Sequence, residues 1–156
     1  MAKVIQGGKK GKGIKLGVVV SKFNDFITSK LLDGCLEELS QNGVKKADVV
    51  VVWVPGAWEI PIVALQLAKK KNIHGVICLG AVIRGETSHF DFVARGACEG
   101  IQEIALSTGK PAILGVLTTD TIDQAYKRSG KNNNKGHDAA IAAIEMVDAL
   151  KKLKKI

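Results

Sequence analysis

The chain has 156 residues, of which 46% are hydrophobic and 24% are charged. This length is typical of one domain that buries its own core, and this composition excludes an intrinsically disordered chain. The uncharged apolar stretches are too short to cross a bilayer, and the Lys- and Gly-rich first 15 residues lack the apolar block of a signal peptide. We therefore expect a cytoplasmic protein without a membrane partner.

The net charge of +8 comes from the two ends of the chain. Residues 1–15 hold five lysines and residues 151–156 hold four, whereas residues 16–150 carry 14 basic and 15 acidic side chains, a net charge of −1. A nucleic-acid-binding domain combines a basic face with aromatic side chains, and only 4% of this chain is aromatic. We expect no nucleic-acid partner and interpret the basic ends as solubilising, or as the lining of a surface where several ends gather.

The three cysteines, Cys35, Cys78 and Cys98, lie far apart and form no C-x-x-C pair. This number and spacing are typical of reduced thiols in a core, and not of a disulfide framework or a zinc site. The three histidines share no metal-binding spacing, so we expect no metal.

Hydrophobic patterning predicts four strands that alternate with helices. Apolar, β-branched runs predict strands at residues 16–20, 49–54, 75–83 and 112–117, and the first two have the continuous apolar pattern of strands buried on both faces. Apolar residues spaced by three and four predict helices at about 25–42, 61–69, 90–108, 122–128 and 138–153. In the second helix Ile62, Leu65 and Ala68 are the predicted core face.

This alternation predicts right-handed βαβ crossovers. The expected fold class is α/β, a three-layer α/β/α sandwich with a four-stranded, flavodoxin-like parallel sheet. We divide the chain into an N-terminal arm, residues 1–13, and a single α/β domain, residues 14–156. The arm offers the fold little to bury, so it either frays or adds an edge strand to a neighbouring subunit.

Four loops are expected to form the functional site, because open parallel sheets bind ligands beyond the carboxyl ends of their strands. These loops are residues 21–24, 55–59, 81–89 and 118–121. Aromatic side chains at two strand ends could grip a flat ring, and the Gly-Glu-Thr-Ser stretch at 85–88 offers backbone N–H groups to a phosphate. A histidine that follows this stretch could transfer protons at neutral pH. The side chains concerned are Phe23, Trp58, Glu59, Arg84, Glu86, Thr87 and His89.

Each of these residues also has a structural interpretation. Phe23 is equally consistent with a hydrophobic staple for its helix, and Trp58 with a core plug beside a proline turn. Thr87 or Ser88 is consistent with a helix cap. An isolated histidine such as His89 is more often structural than catalytic.

The loops resemble the lumazine synthase family. The matching segments are SKFN at 21–24, VPGAWEIP at 54–61, GAVIRGETSHFD at 80–91, GVLTTDT at 115–121 and QAYKR at 124–128. The likeness continues from Asn134 to Met146 and runs in unbroken order from about Leu16 to Leu150. Its most specific parts are Pro-Gly-x-Trp-Glu and Ile-Arg-Gly-x-Thr-x-His-Phe.

The resemblance implies a transferase of riboflavin biosynthesis. Such an enzyme condenses 5-amino-6-(D-ribitylamino)uracil with 3,4-dihydroxy-2-butanone 4-phosphate to 6,7-dimethyl-8-ribityllumazine, releasing phosphate and water. Imine formation, phosphate elimination and ring closure require proton transfers and, in the family, no metal or organic cofactor. The resemblance also implies a homo-oligomer: a pentamer, in the family also a 60-subunit shell, with riboflavin synthase as an associated protein.

The family's functional residues carry over to matching positions of this chain. His89 and Arg128 correspond to catalytic residues, and Asp138 to an acid that supports them. The positions that correspond to binding of the butanone phosphate are Glu86, Thr87, Arg128 and Lys135. The positions that correspond to binding of ribitylaminouracil are Phe23, Ala57, Trp58, Glu59, Ala81, Val82, Ile83 and Leu114. In the family the neighbouring subunit supplies the positions of Leu114 and Arg128, so a monomer would be inactive.

The chain departs from the family pattern at three places. Leu114 stands where the family usually has phenylalanine, His137 replaces a residue that is usually apolar or aromatic, and the 130–135 connection is one residue shorter. Because that connection influences how pentamers pack into shells, the pentamer is the firmer expectation. Two other functions stay open. One is a flavin or lumazine carrier of flavodoxin-like build. The other is a structural shell protein that has lost its active site, which is suggested by Leu114 in the usual phenylalanine position.

Overall fold

The computed structural model describes residues 1–156. Its strands are β1 (Leu16–Ser21), β2 (Val49–Val54), β3 (Gly75–Ile83) and β4 (Ala112–Thr119). Its helices are α1 (Asp25–Gln41), α2 (Ile60–Ala68), α3 (His89–Thr108), α4 (Ile122–Lys127) and α5 (Lys135–Leu153), and 3₁₀ turns at Lys46–Asp48 and Ala57–Glu59 precede β2 and α2. None of the helices combines the length and the apolar character that a membrane crossing requires.

The four strands form one parallel sheet in the order β2-β1-β3-β4. Helices α1 and α5 pack on one face of this sheet, and α2 and α3 pack on the other. The predicted fold class, a three-layer α/β/α sandwich with a flavodoxin-like parallel sheet, is therefore confirmed. Because parallel strands all end at the same edge, the loops after β1 to β4 meet there.

Each face of the sheet has its own apolar core. Val18 and Leu79 point into the core under α1 and α5, whereas Val19 and Cys78 point into the core under α2 and α3. All four side chains have no exposed surface. Successive side chains of a strand point to opposite faces, so the central strands β1 and β3 must be apolar at nearly every position.

Strand β2 differs from its prediction, because it is an edge strand and is not buried on both faces. It pairs only with β1. Val50, Val51 and Trp53 are 45%, 36% and 38% exposed. A continuous run of β-branched residues indicates a strand, but the same pattern does not distinguish an edge strand from a central one.

Helix α2 buries part of the predicted core face. Its buried residues are Ile60, Ala64, Leu67 and Ala68. Ala68 is therefore buried as predicted, and Leu65 packs partly against the same core. Ile62 was predicted to be part of the core face, but it is 65% exposed.

Residues 1–10 form no regular element and contact the C-terminal half of α5 in the same chain. The Gly8 N–H donates to Asp148 Oδ2 at 2.7 Å, and Lys152 Nζ donates to the Gln6 carbonyl at 2.9 Å. The division into an arm and a domain at residue 13 stays a prediction.

Candidate active site

A cleft of about 750 Å³ lies at the carboxyl ends of β1, β2 and β3. We call it the ring cleft. The candidate residues that line it are Phe23, Ala57, Trp58, Glu59, Ala81, Val82, Ile83, Thr87 and His89. Phe90, Phe92 and Val93 complete its wall. These three were not predicted, although their place in the first turns of the helix that follows His89 was a usable signal.

Phe23 stands at the rim of the ring cleft and is 72% exposed, so it is not packed as a helix staple. Its backbone N–H donates to the Pro55 carbonyl at 2.9 Å. The next residue, Asn24, is the one non-glycine residue with a positive φ, +61°, and its Nδ2 donates to the Ala81 carbonyl at 2.8 Å. These two bonds hold the Phe23 loop to both neighbouring strand ends.

Trp58 is 60% exposed and is not a core plug. Its indole ring lies against Gly96 of α3, where an added Cβ would come within 2.8 Å of Trp58 Cε3. Gly96 therefore makes room for a ring that is supported by α3 and still contacts the ring cleft. Sequence reasoning did not identify Gly96, because a glycine within a helix pattern carries no sign of what packs on it.

The Gly85–Ser88 turn joins β3 to α3. Ser88 makes no side-chain cap on α3, and the Thr87 hydroxyl accepts the His89 N–H only at a long 3.4 Å. The backbone N–H groups at the start of α3 therefore remain suited to an anion. The Glu86 side chain is exposed and does not line the ring cleft, so this residue can offer a phosphate only its backbone.

Four further candidate residues line a second cleft, of about 400 Å³, beside β4 and the first turns of α5. We call it the cation cleft. Its lining includes Leu114, Arg128, Lys135 and Asp138, and it shares no lining residue with the ring cleft. Lys135 Nζ and Asp138 Oδ2 are 2.9 Å apart. One chain thus presents His89 and Arg128 in two separate clefts.

Asn134 caps the N-terminus of α5, directly before Lys135 of the cation cleft, and sequence reasoning did not identify it. Only 8% of it is exposed, and its Nδ2 donates to the carbonyls of Lys30 at 3.0 Å and Ser129 at 3.3 Å. Its Oδ1 accepts the Gly136 N–H at 2.8 Å. An asparagine that precedes a helix is a recognisable N-cap, and this cap starts α5 three residues earlier than predicted.

Two of the three thiols are buried and unreactive, and the metal-binding side chains are dispersed. Burial raises the pKa of both Cys35 and Cys78 to about 12, so both stay protonated at neutral pH. No three of the His, Cys, Asp and Glu side chains lie close enough together to hold a metal ion.

The parallel sheet with helices on both faces defines a flavodoxin-like α/β protein, and the ring cleft opens at the carboxyl ends of its strands, where such sheets bind ligands. A family model described as 6,7-dimethyl-8-ribityllumazine synthase matches residues 13–151. The chain therefore belongs to the lumazine synthase family, and the resemblance seen in the sequence is confirmed. Membership of this family implies an enzyme, a transferase of riboflavin biosynthesis that acts on small molecules.

Proposed function

We propose that this protein condenses 5-amino-6-(D-ribitylamino)uracil with 3,4-dihydroxy-2-butanone 4-phosphate to 6,7-dimethyl-8-ribityllumazine, releasing phosphate and water. The observation that carries the proposal is the grouping of the candidate residues. All of them except Arg84 and Glu86 line one of two clefts, one with aromatic side chains and the other with cationic ones. A flat uracil and a phosphate ester need these two kinds of surface.

The ring cleft suits the ribitylaminouracil. The exposed face of Phe23 would stack on the pyrimidine, because aromatic rings pack favourably on flat heterocycles. The end of β3, Ala81 to Ile83, would offer backbone groups to the pyrimidine edge. The turn from Ala57 to Glu59 would hold the hydroxyl-rich ribityl chain.

Two kinds of group suit the phosphate of the second substrate, backbone N–H groups and cationic side chains. The Gly85–Ser88 turn, with Glu86 and Thr87, would donate backbone N–H groups. Arg128 has a planar fork that binds phosphate in a bidentate manner, and only its Nη1 is engaged within the chain, by the Gln124 carbonyl at 3.0 Å. Lys135, with Asp138 beside it, would add positive charge near the same group.

His89 would move protons between these two substrates. When the amine attacks the ketone, a C–N bond forms and the C–O bond breaks. The nitrogen loses two protons in turn, and the carbonyl oxygen gains two and leaves as water. A group that ionises near neutral pH can accept the first proton and return it to a departing oxygen. No step requires an organic cofactor, and holding the substrates in register contributes to the rate.

We also propose that the complete site forms between two subunits. The ring cleft of one chain would meet the cation cleft of its neighbour, so that Leu114 and Arg128 reach the substrates from the adjacent subunit. The supporting observation is that the two clefts share no lining residue within one chain. A pentamer is the assembly that we propose, with a 60-subunit shell as its larger form, riboflavin synthase as an associated protein and the cytoplasm as the location.

The proposal is tested by mixing the purified protein with both substrates and measuring phosphate release and the lumazine product. We expect His89→Ala to lower kcat by about a hundredfold with little change in KM, because general acid–base groups contribute on that scale. His137→Ala is the matched control, because His137 lies on α5 and lines neither cleft. Equal rates for His89→Ala and the wild type would contradict the role of His89, and a carrier would bind the lumazine without releasing phosphate.

A further inference from the structure

Arg84 directly follows β3, and its side chain contacts two other parts of the fold, the loop after β4 and the first turn of α3. Its Nε donates to Asp120 Oδ1 at 2.9 Å, in the loop between β4 and α4. Its Nη1 donates to Asp91 Oδ1 at 3.3 Å, in the first turn of α3. The guanidinium also lies 4.3 Å from the ring centroid of Phe90, and Phe90 lines the ring cleft.

These contacts close the Gly85–Ser88 turn into a loop with both ends fixed. The Arg84 backbone N–H donates to the Thr119 carbonyl at 2.9 Å and anchors the start of the turn to β4. The Arg84 side chain then ties that point to Asp91, beyond the end of the turn. Between these anchors the turn has little support of its own: nothing lies within 4 Å of a Cβ placed at Gly85.

Arg84 does not have the properties of a phosphate ligand. Two carboxylates, Asp120 and Asp91, already accept from it, and the hydrogen bond to Asp120 is the main reason that its pKa is raised. One arginine with two acids has a net charge of −1, which does not attract a phosphate. The contacts of the Arg84 guanidinium are therefore suited to holding the Gly85–Ser88 turn in place.

We propose that Arg84 is a positioning residue that holds the Gly85–Ser88 turn and His89 in the conformation that binds the substrate phosphate. This inference rests on the proposed function. It assigns a role to a residue of the strand-end loops that lies in neither cleft lining. The turn is exposed and glycine-containing, so without the closure its backbone N–H groups lose their common direction.

A structural role alone has a different signature. Arg84, Asp91 and Asp120 keep 43%, 59% and 68% of their side-chain surface exposed, and ion pairs of this kind add little to stability. Loss of such a pair changes the melting temperature slightly and leaves substrate affinity alone. A positioning role raises the KM for one substrate and spares the other.

The test compares Arg84→Gln with Arg95→Gln. Arg95 is a matched control because it also lies on an exposed surface and pairs with one acid, Glu99 at 2.7 Å, but both residues belong to α3. We expect Arg84→Gln to raise the KM for the butanone phosphate about tenfold and to leave the KM for ribitylaminouracil within about twofold. Arg84→Lys keeps the positive charge but lacks the planar guanidinium, so we expect an intermediate KM for the butanone phosphate. This variant replaces Arg84→Gln in the test if the glutamine variant does not fold.

Calorimetric titration with inorganic phosphate separates this inference from the proposed reaction. We expect about tenfold weaker phosphate binding in Arg84→Gln than in Arg95→Gln. Equal phosphate affinity in the two variants, or an equal rise in the KM for both substrates, overturns the role of Arg84. Absence of turnover in the wild type contradicts the proposed reaction, while the titration still decides whether Arg84 shapes a phosphate site.

Discussion

At the scale of single residues, His74 accepts a backbone hydrogen bond and lies near several lysine side chains. Its Nδ1 accepts the Lys15 N–H at 2.9 Å, which requires that this nitrogen carries no proton. Burial is the main cause that lowers the pKa of His74 below its ordinary value of 6.5, and Lys151, Lys110 and Lys15 lower it further, while Asp48 opposes them. The imidazole is therefore neutral at pH 7, and it lies at the amino ends of β1 and β3.

The lowered pKa predicts a pH dependence of stability with a definite sign. Between the folded and the unfolded pKa of His74, the unfolded chain binds more protons, so stability rises with pH in that window. We expect the free energy of unfolding to fall as the pH drops below 6.5 and to be unaffected by His74 above it. His74→Asn keeps an acceptor without a titrating ring, and it should flatten this dependence in urea unfolding.

His137→Asn is the control for that measurement, because it removes another histidine and leaves His74 in place. It should retain the dependence of the wild type. If His74→Asn and the wild type lose stability equally between pH 6.5 and 5, the lowered pKa of His74 is not the cause.

At the scale of elements, the contact between α1 and α5 depends on Gly136. A Cβ at this position would collide with the carbonyl oxygen of Leu31 and would come within 2.8 Å of Asn134 Oδ1. Alanine in place of glycine stabilises a helix by at most about 1 kcal/mol. A clash with the backbone of a packed helix costs about 1–3 kcal/mol, and displacing the Asn134 cap adds about 1 kcal/mol.

The clash therefore outweighs the gain in helix propensity, and Gly136→Ala should destabilise the protein by about 1–3 kcal/mol. Urea unfolding at a fixed protein concentration measures this as a lower midpoint. Gly130→Ala is the control, since its Cβ would meet only the Tyr126 carbonyl oxygen at 3.7 Å, an ordinary contact. Equal midpoints for the two variants would show that α1 and α5 can move apart without loss.

The pattern of apolar residues predicted the elements well where one physical requirement acts alone. β3 has the predicted bounds, because it is central and must be apolar on both faces. The same reasoning was wrong about the exposure of β2, because a run of β-branched residues does not show whether a strand is central or at the edge of the sheet. It was also wrong about Ile62, because nearly every residue of α2 is apolar, and such a pattern does not show which side of the helix packs on the sheet.

The candidate site was predicted in part for a similar reason. The rule for open parallel sheets selected the loops, and the ring cleft gathers Phe23, Trp58 and His89 as that rule requires. The cation cleft lies outside the rule, because Lys135 and Asp138 belong to α5 and Leu114 lies within β4. Those residues were identified only through the family resemblance. Asn134 was missed, because its burial depends on the packing of α1.

At the scale of the whole molecule, several large apolar side chains remain uncovered by the chain itself. Phe23, Trp58, Ile62 and Phe92 are 60–72% exposed, and all but Ile62 line the ring cleft. Single exposed apolar side chains are ordinary, but a group of them around one cleft indicates a surface that is covered on assembly or by a ligand. This arrangement supports a site that is completed by a neighbouring subunit.

A shared site predicts that two strongly impaired variants restore activity to each other. In a ring built by head-to-tail contacts, His89→Ala subunits lack the proton-transfer group of the ring cleft, and Arg128→Ala subunits lack the arginine of the cation cleft. When equal amounts assemble together, about one quarter of the sites combine an intact ring cleft with an intact cation cleft. We therefore expect co-expression to recover about a quarter of the wild-type rate of phosphate release. The two variants purified apart and mixed without reassembly should keep the low rates of the single variants. If His89 and Arg128 of the same chain served one substrate, every site would lack one of the two groups, and co-expression would restore nothing.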